Sequence, residues 1–480
     1  MTAQFDMVDM LLVPLTPIHV GGGEEAMLRP ETYRIAEDAL ELFAPARVLA
    51  DLPEGERRQL VAALARDSLV TMDRVRNRVR ADHVAERIAA APDSLKELRR
   101  ALSPAADRGQ QRSGEVNAFQ RAGDGPLIPG SSIKGALRTA WLARETATLA
   151  LAAIPPGVFG DGARFEAIRR SEPADNLMRR GFGLESGKDL TDADPFRDVV
   201  VSDAALPSGA TRIDPVKSWK RTGDAYDFPR KSPQMHWERT MSAIDGGSPP
   251  LIPLSLGVRT AAVRAGRPRG AKDAKGAKGL KAPAHSPDSV GALLAALEGH
   301  HAPLWRREAE ETFFAGAPGE RLRAALALMK HLDRSGADPA AALVRLGRGA
   351  HAESKSVARF RTVHRPQARK SGGREFAAEG STRHVIDICG RPAPFGWALL
   401  VRADRWRPPS TWLGAAPAAR GQASRPEPAA VQTGPLYRAG QRVTVGGEPA
   451  TIISDVRHGD AEAHVRFSYG PEWVAVSDID

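Results

Sequence analysis

The sequence predicts an α+β fold spread over more than one domain, and three observations carry that prediction. At 480 residues the chain is too long for one ordinary hydrophobic core. Short apolar runs bounded by Gly and Pro alternate with stretches of helical periodicity, in no strict βαβ rhythm. Near the C-terminus a Pro/Ala-rich stretch sets a final group of short strands apart from the rest. No short-period repeat is visible, which argues against a solenoid.

Taken in order, Met7 to Val20 reads as a strand running into a glycine loop, Gly21-Gly22-Gly23. Tyr33 to Phe43 reads as a hairpin. Residues 55–102 carry helical periodicity (Leu60, Leu64, Leu69, Val70, Val75) among dense Arg and Glu. A polar stretch from Ala105 to Gly125 is expected as a mobile loop. Leu127-Ile128-Pro129 leads to an apolar helix that runs to about Ile154, where Pro155-Pro156 stops it. Asp198 to Ala205 is a buried-strand candidate. Arg264 to Lys281 holds seven basic residues and one acid, Asp273; it lacks the apolar residues for a core and is expected to be disordered when free. A helical region follows over 288–332, then a basic loop from Arg365 to Arg374, then strand, turn and strand over Val385 to Leu400. Tyr437 to Ile479 has the strand spacing of a small β-barrel. The expected organisation is therefore a domain at 1–260 with a helical insertion, a flexible basic tract at 261–284, and a second domain at 285–406. A linker at 407–435 and a small β-barrel-like domain at 436–480 complete it.

Composition excludes several classes. With 42% hydrophobic and 26% charged residues the chain reads as soluble and globular. No apolar run reaches membrane-spanning length. Asp6 and Asp9 stand where a signal peptide carries Lys or Arg, so a cytoplasmic location is expected. A single cysteine, Cys389, excludes an intramolecular disulfide and a thiolate zinc cluster. The histidines (His19, His236, His300, His301, His351, His364, His384) show no metal-ligand spacing, and His300-His301 reads as a surface pair. No metal or other cofactor is expected. Net charge is +10 and the pI about 9.9, which suits a polyanionic partner; an Arg/Ala-rich composition gives the same totals, so placement must decide.

Two segments place charge beside glycine. In Pro129-Gly130-Ser131-Ser132-Ile133-Lys134-Gly135-Ala136-Leu137-Arg138, Ser131 or Ser132 suits a helix N-cap, leaving backbone N–H groups to face an anion. Lys134 and Arg138 are spaced i, i+4 on one helical face near that positive end. The reading is a phosphate seat; the plainer one is a capped helix with two surface cations. It is not a Walker A loop. The second segment is Arg345-Leu346-Gly347-Arg348-Gly349, continuing through Ser354 and Lys355. Its glycines let a loop lie along a sugar-phosphate backbone, or simply make a solvated turn. Ser131-x-x-Lys134 also matches the nucleophile motif of penicillin-binding proteins, with Ser202-Asp203-Ala204 and Lys370-Ser371-Gly372 following in order. The Asn of the second motif is missing, and the third sits in a polar loop. Trp219, Trp237 and Trp305 offer base-stacking rings, although core packing explains them as well.

These residues resemble one family. Leu15-Thr16-Pro17-Ile18-His19-Val20-Gly21-Gly22-Gly23 resembles the N-terminal signature of the RAMP superfamily, and Ile128 to Arg138 is similar to that family's "IPGSSLKGALR" segment. Val201-Ser202-Asp203 resembles a strand of its type III CRISPR members. Arg345 to Gly349 with Lys355 is similar to the C-terminal glycine loop of the capping subunit of the type III-A Csm complex, and Pro394-Phe395-Gly396-Trp397 fits type III C-termini. The resemblance spans roughly 15–400. It implies RRM-like, ferredoxin-type modules and a structural, guide-RNA-binding subunit capping the effector backbone at the 3′ end of the crRNA. The implied RNA-binding residues are His19, Gly21, Gly22, Ser131, Ser132, Lys134, Arg138, Arg345, Gly347, Arg348, Gly349 and Lys355. Implied partners are the crRNA, the other backbone subunits, above all the repeated one, and host nucleases; no membrane is implied. The loop aspartate with which the repeated subunit cuts target RNA has no counterpart, so catalysis is not carried over. The alternatives are a guide-processing RAMP endoribonuclease working through His19, a terminal subunit of the related Cmr complex and, more remotely, a serine acyl-transferase of penicillin-binding type.

Overall fold

The computed structural model describes residues 5–23, 27–64, 68–103, 114–122, 125–147, 194–222, 225–227, 235–259, 286–314, 317–327, 330–358, 361, 363–366, 374–377, 379–380, 382–388, 391–408, 441–445, 448–453, 462–467 and 470–475. The basic tract, the Pro/Ala linker beyond Pro408, the end of the helix expected at Ile154 and Lys370-Ser371-Gly372 lie outside the described residues. The chain divides into two compact units, Met1–Gly414 and Ala415–Asp480.

In the first unit the chain runs β1 (Phe5–Pro14), β2 (Tyr33–Ile35), β3 (Ala39–Phe43), α1 (Pro45–Ala50), α2 (Glu54–Leu64), α3 (Ser68–Arg76), β4 (Val84–Ala90) and α4 (Pro92–Ala101). It continues through β5 (Gly125–Ile128), α5 (Gly130–Ala147), β6 (Val199–Val201), β7 (Thr211–Thr222), β8 (Met235–Thr240) and β9 (Ile252–Arg259). Next come α6 (Val290–Arg306), which passes into one π-helical turn (Arg307–Glu311), and α7 (Ala317–Ala327). The last elements are β10 (Ala341–Arg345), α8 (His351–Ser354), β11 (Thr382–Ile388), β12 (Arg391–Pro394) and β13 (Trp397–Arg402).

A five-stranded antiparallel sheet in the order β10-β13-β1-β9-β6 forms the frame. Segments 1–260 and 285–406 thus contribute strands to the same sheet. Alternation along its strands sends Met10, Leu12, Leu254, Leu256 and Leu400 to one face, where Ile133, Leu137 and Trp141 of α5 and Leu293 and Leu297 of α6 cover them. Burying each such Leu or Ile contributes about 1.5–3 kcal/mol. The other face presents Val13, Leu343, Leu399 and Val401 to Trp219, Trp237, Trp305 and Phe395, so all three tryptophans are core residues. A larger curled sheet runs β8-β7-β4-β3-β2, and the far half of β7 also pairs with β11.

Two readings are corrected. The helical window at 55–102 is interrupted by β4, where the helix formers Ala85, Glu86, Arg87, Ala89 and Ala90 lie in a strand paired with β3 and β7. His301 is fully buried in α6 rather than on the surface. A buried ion cluster ties the C-terminal strands together: Glu308 accepts hydrogen bonds from Arg345 and Arg383 at 3.0 Å each and from the Trp397 indole at 2.8 Å.

The second unit is a four-stranded antiparallel meander, β14 (Arg442–Val445), β15 (Glu448–Ile452), β16 (Glu462–Phe467) and β17 (Gly470–Ala475). Val443, Ala450, Ile452, Ala463, Val465 and Phe467 form its core. Among the described residues, no helix is long and apolar enough to cross a membrane.

Candidate nucleic-acid interface

Three distant stretches meet around a groove of about 880 Å³. One wall is the loop after β1, with His19, Val20, Gly21 and Gly23; a second is one stripe of α5, with Ser131, Ser132, Gly135, Ala136 and Thr139; a third is the loop after β10, through Gly347, Arg348, Ser354 and Lys355. Glu115, Asn117, Ala118, Met27 and Met235 close it.

The first loop is clamped by backbone carbonyls and threonine hydroxyls. Gly396 N–H donates to Pro17 O at 2.7 Å, Ile18 N–H to Thr240 Oγ1 at 3.0 Å, and Trp397 N–H to Thr16 Oγ1 at 2.9 Å. Arg348 N–H donates to His19 O at 2.8 Å. That approach explains Gly347: its φ is +83°, and a Cβ there would lie 2.2 Å from the His19 carbonyl oxygen. Gly349 serves packing instead, since a Cβ would collide with Phe395. Gly22 is exposed and does not border the groove.

His19 is buried, tilted against Trp237 at 4.9 Å between centroids and edge-on to Phe119 at 6.1 Å. Its Nδ1 lies 2.7 Å from the backbone oxygen of Glu238. Burial lowers its pKa to about 4, against the hydrogen bond to Glu238 and with the help of the Arg348 charge. The Glu238 carboxylate below is fully buried and accepts from Arg121 (2.7 and 2.9 Å), Phe119 N–H (2.8 Å) and Thr211 Oγ1 (2.8 Å). It fixes the strand that holds the imidazole.

Arg348 is exposed, steadied by the Asn117 amide oxygen at 2.6 Å and by the Trp237 ring at 5.3 Å. Among the described residues no carboxylate forms an ion pair with Arg348 or Lys355. Burial, and then the Arg345 charge, lowers the Lys355 pKa from its ordinary value. Arg345 borders the groove, but its guanidinium turns inward to Glu308, 2.7 Å away.

The helix start is arranged differently from the expectation. Gly130 N–H donates to Asp203 Oδ1 at 2.7 Å, so the aspartate of Val201-Ser202-Asp203, not Ser131 or Ser132, caps α5. Gly130 is required because a Cβ would lie 2.4 Å from Val201 O. Ser131 and Ser132 face the groove. Lys134 and Arg138 do not border it: Lys134 Nζ donates to Val199 O at 2.8 Å and Arg138 pairs with Asp194. At 100° per residue, the stripe 131, 135, 139 and the stripe 134, 138 face different ways. The Lys134 amine, engaged by Val199, is not held as a base for Ser131.

Sequence reasoning did not find Glu115, Asn117, Met27, Met235 or Glu238; only Asn117, two residues before Phe119 in a polar stretch, carried a signal, as an uncharged side chain suited to steadying a cation.

The family model described as the RAMP superfamily matches residues 12–260, just over half of the chain. A search of curated proteins finds no match. Among solved structures the chain is similar to one from a cryo-EM structure of a Csm–crRNA–target RNA ternary complex of a type III-A CRISPR-Cas system, at 16% identity and TM-score 0.53, covering 82% of this chain and 100% of that one. It is also similar to Csm5 of T. onnurineus, at 16% identity and TM-score 0.44, covering 81% and 99%. The chain belongs to the RAMP superfamily.

Proposed function

We propose that the chain is a structural guide-RNA-binding subunit of a type III CRISPR effector, seated at the 3′ end of the crRNA where it closes the backbone formed by the repeated RAMP subunit. The observation that carries the reading is the groove, where Arg348 and Lys355 have no carboxylate partner among the described residues and stand between two glycine-bearing backbones and a row of α5 hydroxyls. Such a surface holds phosphates and ribose without a base code. The fold likeness to a Csm chain supports the setting. In the same reading, the five-stranded sheet with α5 and α6 on one face is an RRM-like module, and 436–480 is a small barrel-like appendage.

Holding rather than cutting is favoured by His19. A buried imidazole with a pKa of about 4 is a weak general base near neutral pH. The experiment is reconstitution on an end-labelled crRNA with the repeated subunit. The expected result is an intact RNA whose 3′ end becomes nuclease-resistant only when this chain is added. Protection of the 5′ end would assign another seat, and cleavage lost in His19→Ala would make the chain a ribonuclease.

A further inference from the structure

The groove holds one buried polar atom that phosphate binding does not use. His19 Nδ1 faces the carbonyl oxygen of Glu238 at 2.7 Å. A carbonyl only accepts, so Nδ1 carries the proton and Nε2 of the neutral ring is left as an acceptor. Nε2 is buried and has no hydrogen-bond partner among the described residues. The ring is not free to exchange its two nitrogens, being held between Trp237 and Phe119. A buried acceptor left unpaired is costly, so its retention in a groove wall points to a donor on the ligand.

Gly21 borders that place. A Cβ at residue 21 would lie 3.0 Å from His19 Nε2 and 3.7 Å from Ala118 O, and His19, Gly21 and Ala118 all border the groove. The glycine therefore sets no side-chain atom against Nε2 on the groove side.

We propose that His19 Nε2 accepts a hydrogen bond from a ribose 2′-hydroxyl of the RNA strand in the groove, so that this chain distinguishes RNA from DNA at one nucleotide whatever its base. Phosphate oxygens have no proton to donate at neutral pH. Exocyclic amines donate but are present on only some bases, whereas every ribonucleotide carries the 2′-hydroxyl. The inference rests on the RNA reading of the groove and adds to it which ligand atom meets His19.

The test uses the full chain and short homopolymer RNAs in which each nucleotide in turn is replaced by its 2′-fluoro analogue, which keeps the ribose pucker and removes the donor. Wild type is expected to lose about five- to tenfold in affinity at one position, the size of one neutral hydrogen bond. His19→Ala is expected to lose a similar factor on unmodified RNA and to become indifferent to the substitution at that position. Gly21→Ala leaves the imidazole in place and sets a methyl beside Nε2; it should show the same indifference, which covers the case in which His19→Ala fails to fold. RNA binding by wild type that ignores 2′-fluoro at every position overturns the inference and leaves the RNA reading standing. Loss that follows base identity with the 2′-hydroxyl intact overturns it in favour of a base amine. Failure of wild type to bind RNA overturns the reading of the groove and the inference together.

Discussion

The start of α5 and the loop after β10 are written in the same residues, glycines set among cations, and the fold uses them in opposite ways. At α5 both cations are engaged inside the protein, Lys134 by Val199 O and Arg138 by Asp194, and the helix presents hydroxyls to the groove. After β10, Arg345 is drawn inward by Glu308, while Arg348 is held outward by an amide and an indole, neither of which cancels its charge. Of these four cations, the one that stays turned to the groove is steadied by neutral side chains. The spacing of cations says nothing about that; the partners do.

The glycines of the two regions provide the largest test of this contrast. Gly347→Ala places a Cβ 2.2 Å from a backbone oxygen at φ +83°, and neither atom yields cheaply. It should destabilise the chain by about 2–3 kcal/mol and lower Tm by several degrees. A Tm unchanged from wild type would mean that the loop is not anchored on His19.

A smaller effect comes from the groove floor. His19, its folded pKa of about 4 lying below the unfolded value of about 6.5, refuses a proton that the unfolded chain accepts. Its contribution to stability is therefore complete above pH 6.5 and lost as pH falls toward 4. Replacing His19 with Gln should reduce the pH dependence of stability in that window by up to about 1.4 kcal/mol per pH unit, read from denaturant midpoints. An unaltered slope would place the imidazole in a solvated setting.

Smallest is Gly135→Ala. A Cβ there meets nothing within 4 Å, so the helix should gain about 0.5–1 kcal/mol from propensity alone. Destabilisation instead would show a close neighbour at the α5 stripe.

What the sequence made legible were local features. The strand before the glycine loop, the hairpin at 33–43, the helix after Pro129 and the strand pair near 385–400 all follow from periodicity and turn residues. The resemblance of their motifs named His19, Ser131, Ser132, Arg348 and Lys355 as RNA-binding candidates, but that they border one groove is seen only in the structure. The orientation of Lys134 and Arg138 was not legible, because i, i+4 spacing defines a shared face but not its outlook. Asp203 as the cap of α5, 73 residues away, and Glu238 beneath His19, 219 residues away, depend on strand pairing that no local pattern encodes. Strand β4 was hidden by Ala, Glu and Arg, whose helix propensity tertiary pairing overrides.

The central claim, that the groove cations and not the helix cations meet the RNA backbone, is tested most directly by the salt dependence of single-stranded RNA binding. Each lost phosphate contact should flatten the slope of log K against log[salt] by about 0.7. Arg348→Ala with Lys355→Ala should flatten it by about 1.4, while Lys134→Ala with Arg138→Ala, in folded protein, should leave it as in wild type. The reverse pattern, flattening by the helix pair and none by the loop pair, would contradict the account.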